Sequence, residues 1–155
     1  MSIYLIRHAS AGARGSLGGH RDLERSLDAV GHDQADAIAT AHAEAGITEI
    51  YTSSALRCRQ TVEPLGRTLG LDVVVHDALV EGQSCAGAVH LARSLVQAGV
   101  TAAFCSHGDI IPDMIQTLAR EGMVIVGQRA WSKGSTWELR TRGNDITEAR
   151  FLGPF

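Results

Sequence analysis

Arg7-His8, Arg57, Glu81 and Ser106-His107-Gly108 are the residues whose types and spacing could do chemistry together. Each group follows a different short apolar run, and ligands of open α/β sheets bind beyond the carboxyl ends of the strands. Two guanidiniums offer forked donors suited to phosphate oxygens. A neutral imidazole between them is a nucleophile that can accept a phosphoryl group. Phosphoryl transfer depends mostly on positioning and charge stabilisation, which cationic donors around a nucleophile supply. His107 could donate to a non-bridging oxygen. A protonated Glu81 could protonate the leaving oxygen and then, as a base, activate water. The competing chemistry is a metal site, because two histidines and a carboxylate are the ingredients of a facial triad. Arg7 and Arg57 in the same cleft would repel a divalent cation, and no His-x-x-x-His or Cys-x-x-Cys pairing accompanies them.

The elements that must position these residues alternate strand and helix. Ile3–Ile6 is an apolar run ending in Arg7-His8, which predicts a buried strand. The glycine-rich stretch from Ala9 to Arg25 predicts a long loop, of the kind that is usually functional or mobile. Asp28 predicts a helix cap, with the helix running to about Ala45 before Gly46. Ile47–Thr52 reads as a second strand, Ala55–Leu69 as a helix containing Pro64, and Leu71–His76 as a third strand. Ser84–Ala98 predicts a third helix, Val100–Cys105 a fourth strand, and Asp109–Arg120 a fourth helix capped by Asp109. Thr136–Thr141 and Ile146–Leu152, separated by Gly143-Asn144-Asp145, predict a hairpin. The pattern implies one domain over residues 1–155: a three-layer α/β/α sandwich with a mostly parallel sheet and a C-terminal β-hairpin.

Composition narrows the classes. The chain has 155 residues, 45% hydrophobic and 20% charged, with a net charge of −3. That excludes disorder and argues against bulk nucleic-acid binding. No apolar run approaches the ~20 residues of a membrane span. The start lacks the basic region and cleavage site of a secretory signal. Cys58, Cys85 and Cys105 are odd in number and scattered, which fits a reducing cytoplasm rather than a disulfide framework. The cations are thirteen Arg against one Lys, Lys133. Any single arginine therefore carries little weight without its position.

Four blocks, in order over about the first 120 residues, carry a resemblance. Leu5-Ile6-Arg7-His8 resembles the Arg-His-Gly signature of the histidine phosphatase superfamily, the phosphoglycerate-mutase-like proteins. Arg25-x-Leu27-Asp28-x-x-Gly31-x-x-Gln34-Ala35 resembles the opening of its first long helix, with Asp28 in place of a capping threonine. Thr52–Thr61 resembles its second arginine block, and Ser106-His107-Gly108 its second histidine. The resemblance implies a phosphoglycerate-mutase-like fold and a covalent phosphohistidine intermediate on His8. Arg7, Arg57 and His107 would complete the phosphate pocket, with Glu81 at the usual acid position.

Ala9 replaces the signature glycine, as in the small phosphohistidine-phosphatase branch. Ser10-Ala11 replaces the usual Glu-Thr, and Arg14 stands where an asparagine is common. The chain also resembles the phosphatase domain that follows a Nudix domain in some two-domain proteins, through Arg57–Thr61, Cys105–Gly108 and Lys133–Trp137. The expected activity is metal-independent hydrolysis of a phosphomonoester or phosphohistidine, with no cofactor. Arg14 and Arg21 are candidate substrate contacts, together with His20 and Asp22 of the same loop. The partner is a phosphorylated small molecule or phosphoprotein rather than nucleic acid or membrane. Two other readings stay open: a phosphate-binding regulatory module with little turnover, and a phosphomutase.

Overall fold

Alternate residues of the first strand, β1 (Ser2–Arg7), are buried on opposite faces: Ile3 and Leu5 join one core, Tyr4 and Ile6 the other. A strand buried on both sides needs helices on both sides. The computed structural model, which describes all of residues 1–155, has that arrangement. Helices α1 (Ala29–His42) and α2 (Leu56–Leu69) cover the Tyr4 and Ile6 face. Helices α3 (Ala86–Gln97) and α4 (Ile110–Arg120) cover the face of Ile3 and Leu5.

The remaining strands are β2 (Glu49–Thr52), β3 (Val73–Val75), β4 (Ala102–Ser106), β5 (Val124–Val126), β6 (Ser135–Arg142) and β7 (Asp145–Pro154). The sheet order is β3-β2-β4-β1-β6-β7-β5. β3, β2, β4 and β1 are mutually parallel, and β6 runs antiparallel to both β1 and β7. The α/β/α sandwich and the hairpin match expectation. β5 was not expected; it pairs in parallel with β7 at the sheet edge. No helix is long and apolar enough to cross a membrane.

Parallel pairing sets Arg7 opposite Ser106, so β1 and β4 release their chains at one edge of the sheet. The expected loop after β1 has structure of its own. Ala11 bridges to Leu27, and Gly19–Glu24 forms a short 3₁₀ turn. Its return is fixed at α1, where Asp28 accepts from the Gly31 amide at 2.8 Å and from the Ser10 hydroxyl at 2.7 Å. The backbones meet so closely there that a Cβ on Gly31 would lie 1.9 Å from the Ser10 carbonyl oxygen. Gly31→Ala must push the chain just after His8 off the helix. We expect a loss of about 2–3 kcal/mol in denaturant unfolding, at the upper end for overpacking, and impaired turnover with it. An unchanged midpoint would show that this contact is not a fixed point of the fold.

Candidate active site

His8 leaves β1 through an amide that donates to the Ser106 carbonyl at 3.0 Å, which sets it beside the end of β4. The residue is 4% exposed. Nδ1 lies 2.9 Å from the Ala9 carbonyl, an acceptor only, so Nδ1 carries the proton and Nε2 the lone pair. Burial lowers its pKa, against the Ala9 hydrogen bond, and the charges of His107, Arg57 and Arg7 push it further, to about 3. The imidazole is therefore neutral at physiological pH. The adjacent Ala9 amide is held by the Thr61 hydroxyl at 2.9 Å, tying the nucleophile's loop to α2.

His107 faces His8 edge to face, with ring centroids 5.5 Å apart. Its Nδ1 is 3.4 Å from Arg57 Nη2, which can only donate, so in this arrangement Nδ1 is the acceptor and Nε2 the N–H. Nε2 then donates to the Ser53 hydroxyl at 2.8 Å. Ser53, on the turn between β2 and α2, thus fixes which nitrogen of His107 faces the pocket. The following residue must be small: a Cβ on Gly108 would lie 2.8 Å from Cζ of Arg7. The other side of Arg7 is met by the Trp131 carbonyl, which accepts from Nη1.

Arg57, in the first turn of α2, is fully buried. Nη1 donates to the Asp22 carbonyl at 3.0 Å and lies 3.4 Å from its carboxylate. Nη2 donates to Glu81 at 3.0 Å, and Nε has no partner. Glu81 also accepts from Arg14 at 2.6 Å. Burial works to raise the Glu81 pKa, but the Arg14 hydrogen bond and the charges of His107, Arg14 and Arg57 outweigh it, leaving the carboxyl below its usual range. In the free pocket Glu81 is therefore a carboxylate held by two guanidiniums. The loop after Glu81 is pinned by Asp109, which accepts from the Gly82 amide at 2.8 Å while also capping α4.

The structure brings Arg7, His8, Arg57, Glu81, His107 and Arg14 together. Arg21 stays outside, on the solvent side of the 3₁₀ turn, in an ion pair with Glu24 at 2.7 Å. Nowhere do three His, Cys, Asp or Glu side chains converge as metal ligands would. Sequence reasoning missed Ser53, Thr61 and the Trp131 carbonyl as supports. Ser53 and Thr61 lie inside the second arginine block, the one signal that pointed toward them.

A family model of the histidine phosphatase superfamily, branch 1, matches residues 3–90. The chain belongs to this superfamily. The chain is 31% identical over 158 residues to an 8-oxo-(d)GTP phosphatase of Mycolicibacterium smegmatis, covering 99% of this chain but 48% of that protein. The chain spans less than half the length of the curated relatives it matches. Among solved structures it is similar to SixA from Agrobacterium tumefaciens, with TM-score 0.71 and 26% identity over 99% of this chain and 97% of that one. It shares its fold with a mycobacterial glucosyl-3-phosphoglycerate phosphatase in complex with VO3, at TM-score 0.74 and 16% identity, covering 98% and 97% of the two chains.

Proposed function

We propose that this histidine phosphatase domain is a metal-independent phosphatase that works through a phosphohistidine on His8. The observation that carries the reading is a buried, neutral His8, its Nδ1–H tied to Ala9 and its Nε2 lone pair free, among the cations Arg7 and Arg57 and beside His107. The relative with 31% identity, an 8-oxo-(d)GTP phosphatase, supports it.

In the first step Nε2 attacks phosphorus in line, an N–P bond forms and the bond to the leaving group breaks. Arg7 and Arg57 hold non-bridging oxygens, and His107 joins them once a second proton on Nδ1 makes that nitrogen a donor, its Nε2–H remaining on Ser53. Phosphoryl oxygens take over the Arg57 donors that Glu81 and Asp22 occupy in the free pocket. Glu81 then keeps Arg14 but faces a dianion where Arg57 had been, which works to raise its pKa so that it can carry the proton an ester oxygen needs on leaving. In the second step water attacks phosphorus, Glu81 takes the proton, and inorganic phosphate and neutral His8 are regenerated.

An acid-labile, base-stable phosphoenzyme trapped from radiolabelled substrate tests the intermediate. Phosphate binding without turnover would instead make the domain a phosphate-binding module, and transfer from His8 to a second substrate a mutase. Glu81→Gln separates substrate types. We expect a loss of about 10²–10⁴-fold in kcat on an aryl or alkyl ester, the usual worth of a general acid–base group. On phosphohistidine, whose nitrogen leaving group needs less help, the loss should be smaller. Equal, small losses on both would remove Glu81 from the mechanism.

A further inference from the structure

A cleft of about 470 Å³ opens beside Glu81, lined by Arg14, Asp22, Leu23, Val80 and Glu81, with Gly15 and Gly19 adding backbone but no side chains. Its volume lies in the range of small-molecule sites. Asp22 and Glu81 belong to both this cleft and the phosphate pocket, because Arg57 holds both carboxylates. The alternatives are closed. The gap behind Arg7, between Trp131 and Trp137, does not admit a water molecule, and the other surface hollows share no residue with the site. A group esterified to a phosphoryl held by Arg57 therefore has this cleft to lie in.

The lining says what kind of group fits. Its charged lining side chains are one guanidinium and two carboxylates, so acceptors outnumber donors on its surface. Arg14 is already paired with Glu81 at 2.6 Å, and Asp22 is shared between Arg25 at 3.0 Å and Arg57. The Arg25 hydrogen bond, against a smaller effect of burial, keeps the Asp22 carboxyl below its ordinary range, so both acids are acceptors at neutral pH. Once phosphoryl oxygens occupy Arg57, both acids lose a donor. The cleft then holds surplus acceptors and no free cation for a second anion. Leu23, 49% exposed, and Val80 add apolar surface.

Resting on the phosphatase reading, we infer that this cleft is the leaving-group subsite, and that it selects a neutral or cationic ring bearing N–H donors over a leaving group with a second anionic charge. The ring could be a nucleobase on a nucleoside monophosphate or the imidazole of phosphohistidine. A leaving group carrying a carboxylate, as in phosphoglycerate, meets repulsion from the Asp22 carboxylate and finds no free cation in the cleft.

The test is equilibrium binding to the His8→Ala protein, its fold checked by circular dichroism, using inorganic phosphate, guanosine monophosphate, a phosphohistidine peptide and phosphoglycerate. Competitive inhibition of aryl phosphate hydrolysis by the wild type provides the same comparison if that variant does not fold. At least one ring ligand should bind about tenfold more tightly than inorganic phosphate, and phosphoglycerate no more tightly than phosphate. Whichever ring ligand binds tighter identifies the source. Leu23→Ala should remove most of the ring ligand's advantage. Phosphoglycerate binding as well as the ring ligands, or an advantage unmoved by Leu23→Ala, would overturn the inference while leaving the phosphatase reading standing. No binding of inorganic phosphate would sink both.

Discussion

His8→Ala should lower kcat on a generic aryl phosphate by at least about 10⁴-fold, the scale seen when a covalent nucleophile is removed while its binding groups remain. The reason lies in the division of labour around the ring. Arg7, Arg57 and His107 can still hold and polarise a phosphoryl group in the variant, so phosphate should still bind. What disappears is the Nε2 lone pair, whose availability depends on Nδ1–H being tied to Ala9 at 2.9 Å. Full activity in a folded His8→Ala protein would remove His8 as nucleophile. Activity that survives in the wild type but is lost in EDTA would instead favour metal chemistry.

The same variant carries a stability signature that is independent of turnover. In the unfolded chain His8 takes up a proton as pH falls through about 6.5, the ordinary histidine value. In the folded protein it does so only near 3. Between those values the unfolded state binds more protons, so stability falls as pH falls, by up to about 1.4 kcal/mol per pH unit from this one group. Above the upper value the contribution is fully present. His8→Ala removes this dependence, although its cavity lowers stability at neutral pH. His42, also buried with a lowered pKa, remains in both proteins, so the difference between their pH profiles isolates His8. Parallel profiles from mildly acidic to neutral pH would show that His8 is not buried neutral.

The parts of this molecule that were legible in sequence are those set by local chemistry. The apolar run of β1, the Asp28 cap, the left-handed Gly70 that ends α2, and the Gly-Asn-Asp turn between β6 and β7 each have a cause within a few residues. The convergence of Arg7, His8, Arg57 and His107 was legible for a related reason: in parallel α/β topology, strand ends share one edge. What stayed hidden depends on partners far away in the chain. β5 is three residues long and is a strand only because β7 lies beside it. The stretch after β1 looked like an open loop because its order comes from elsewhere. The Gln60 side chain accepts from the Leu27 amide at 2.8 Å, and Arg25 donates to the Gly12 carbonyl at 2.6 Å. Arg14 and Arg21 are alike in composition and setting, and only the path of the 3₁₀ turn sends one to Glu81 and the other to Glu24. The charge state of Glu81 is likewise a property of its neighbours: the residue and Arg57 could be read, the ion pair that Arg14 adds could not.

Arg57→Lys should cost nearly as much activity as losing the side chain altogether, despite keeping the charge. Arg57 occupies a fully buried position where one planar group addresses three directions: the Asp22 carbonyl at 3.0 Å, Glu81 at 3.0 Å, and His107 Nδ1 at 3.4 Å. A lysine ammonium is a single point that can neither span Asp22 and Glu81 in the free pocket nor present a fork to the phosphoryl group that displaces them. Two charge-assisted bonds to phosphoryl oxygens, at about 1.5–3 kcal/mol each, put the loss in kcat/KM at roughly 10²–10⁴-fold. The stabilities of the two variants should diverge where their activities do not. Arg57→Ala leaves two carboxylates facing a buried void, and removing one partner of a buried pair costs about 3–5 kcal/mol. Because Asp22 and Glu81 keep some exposure to water, the lower end applies. Arg57→Lys retains a cation between them and should lose less, so thermal unfolding should rank wild type, Lys, then Ala. If Arg57→Lys kept near wild-type kcat/KM, the guanidinium fork would not be holding the phosphoryl group, and Arg57 would serve only to neutralise the two acids that face it.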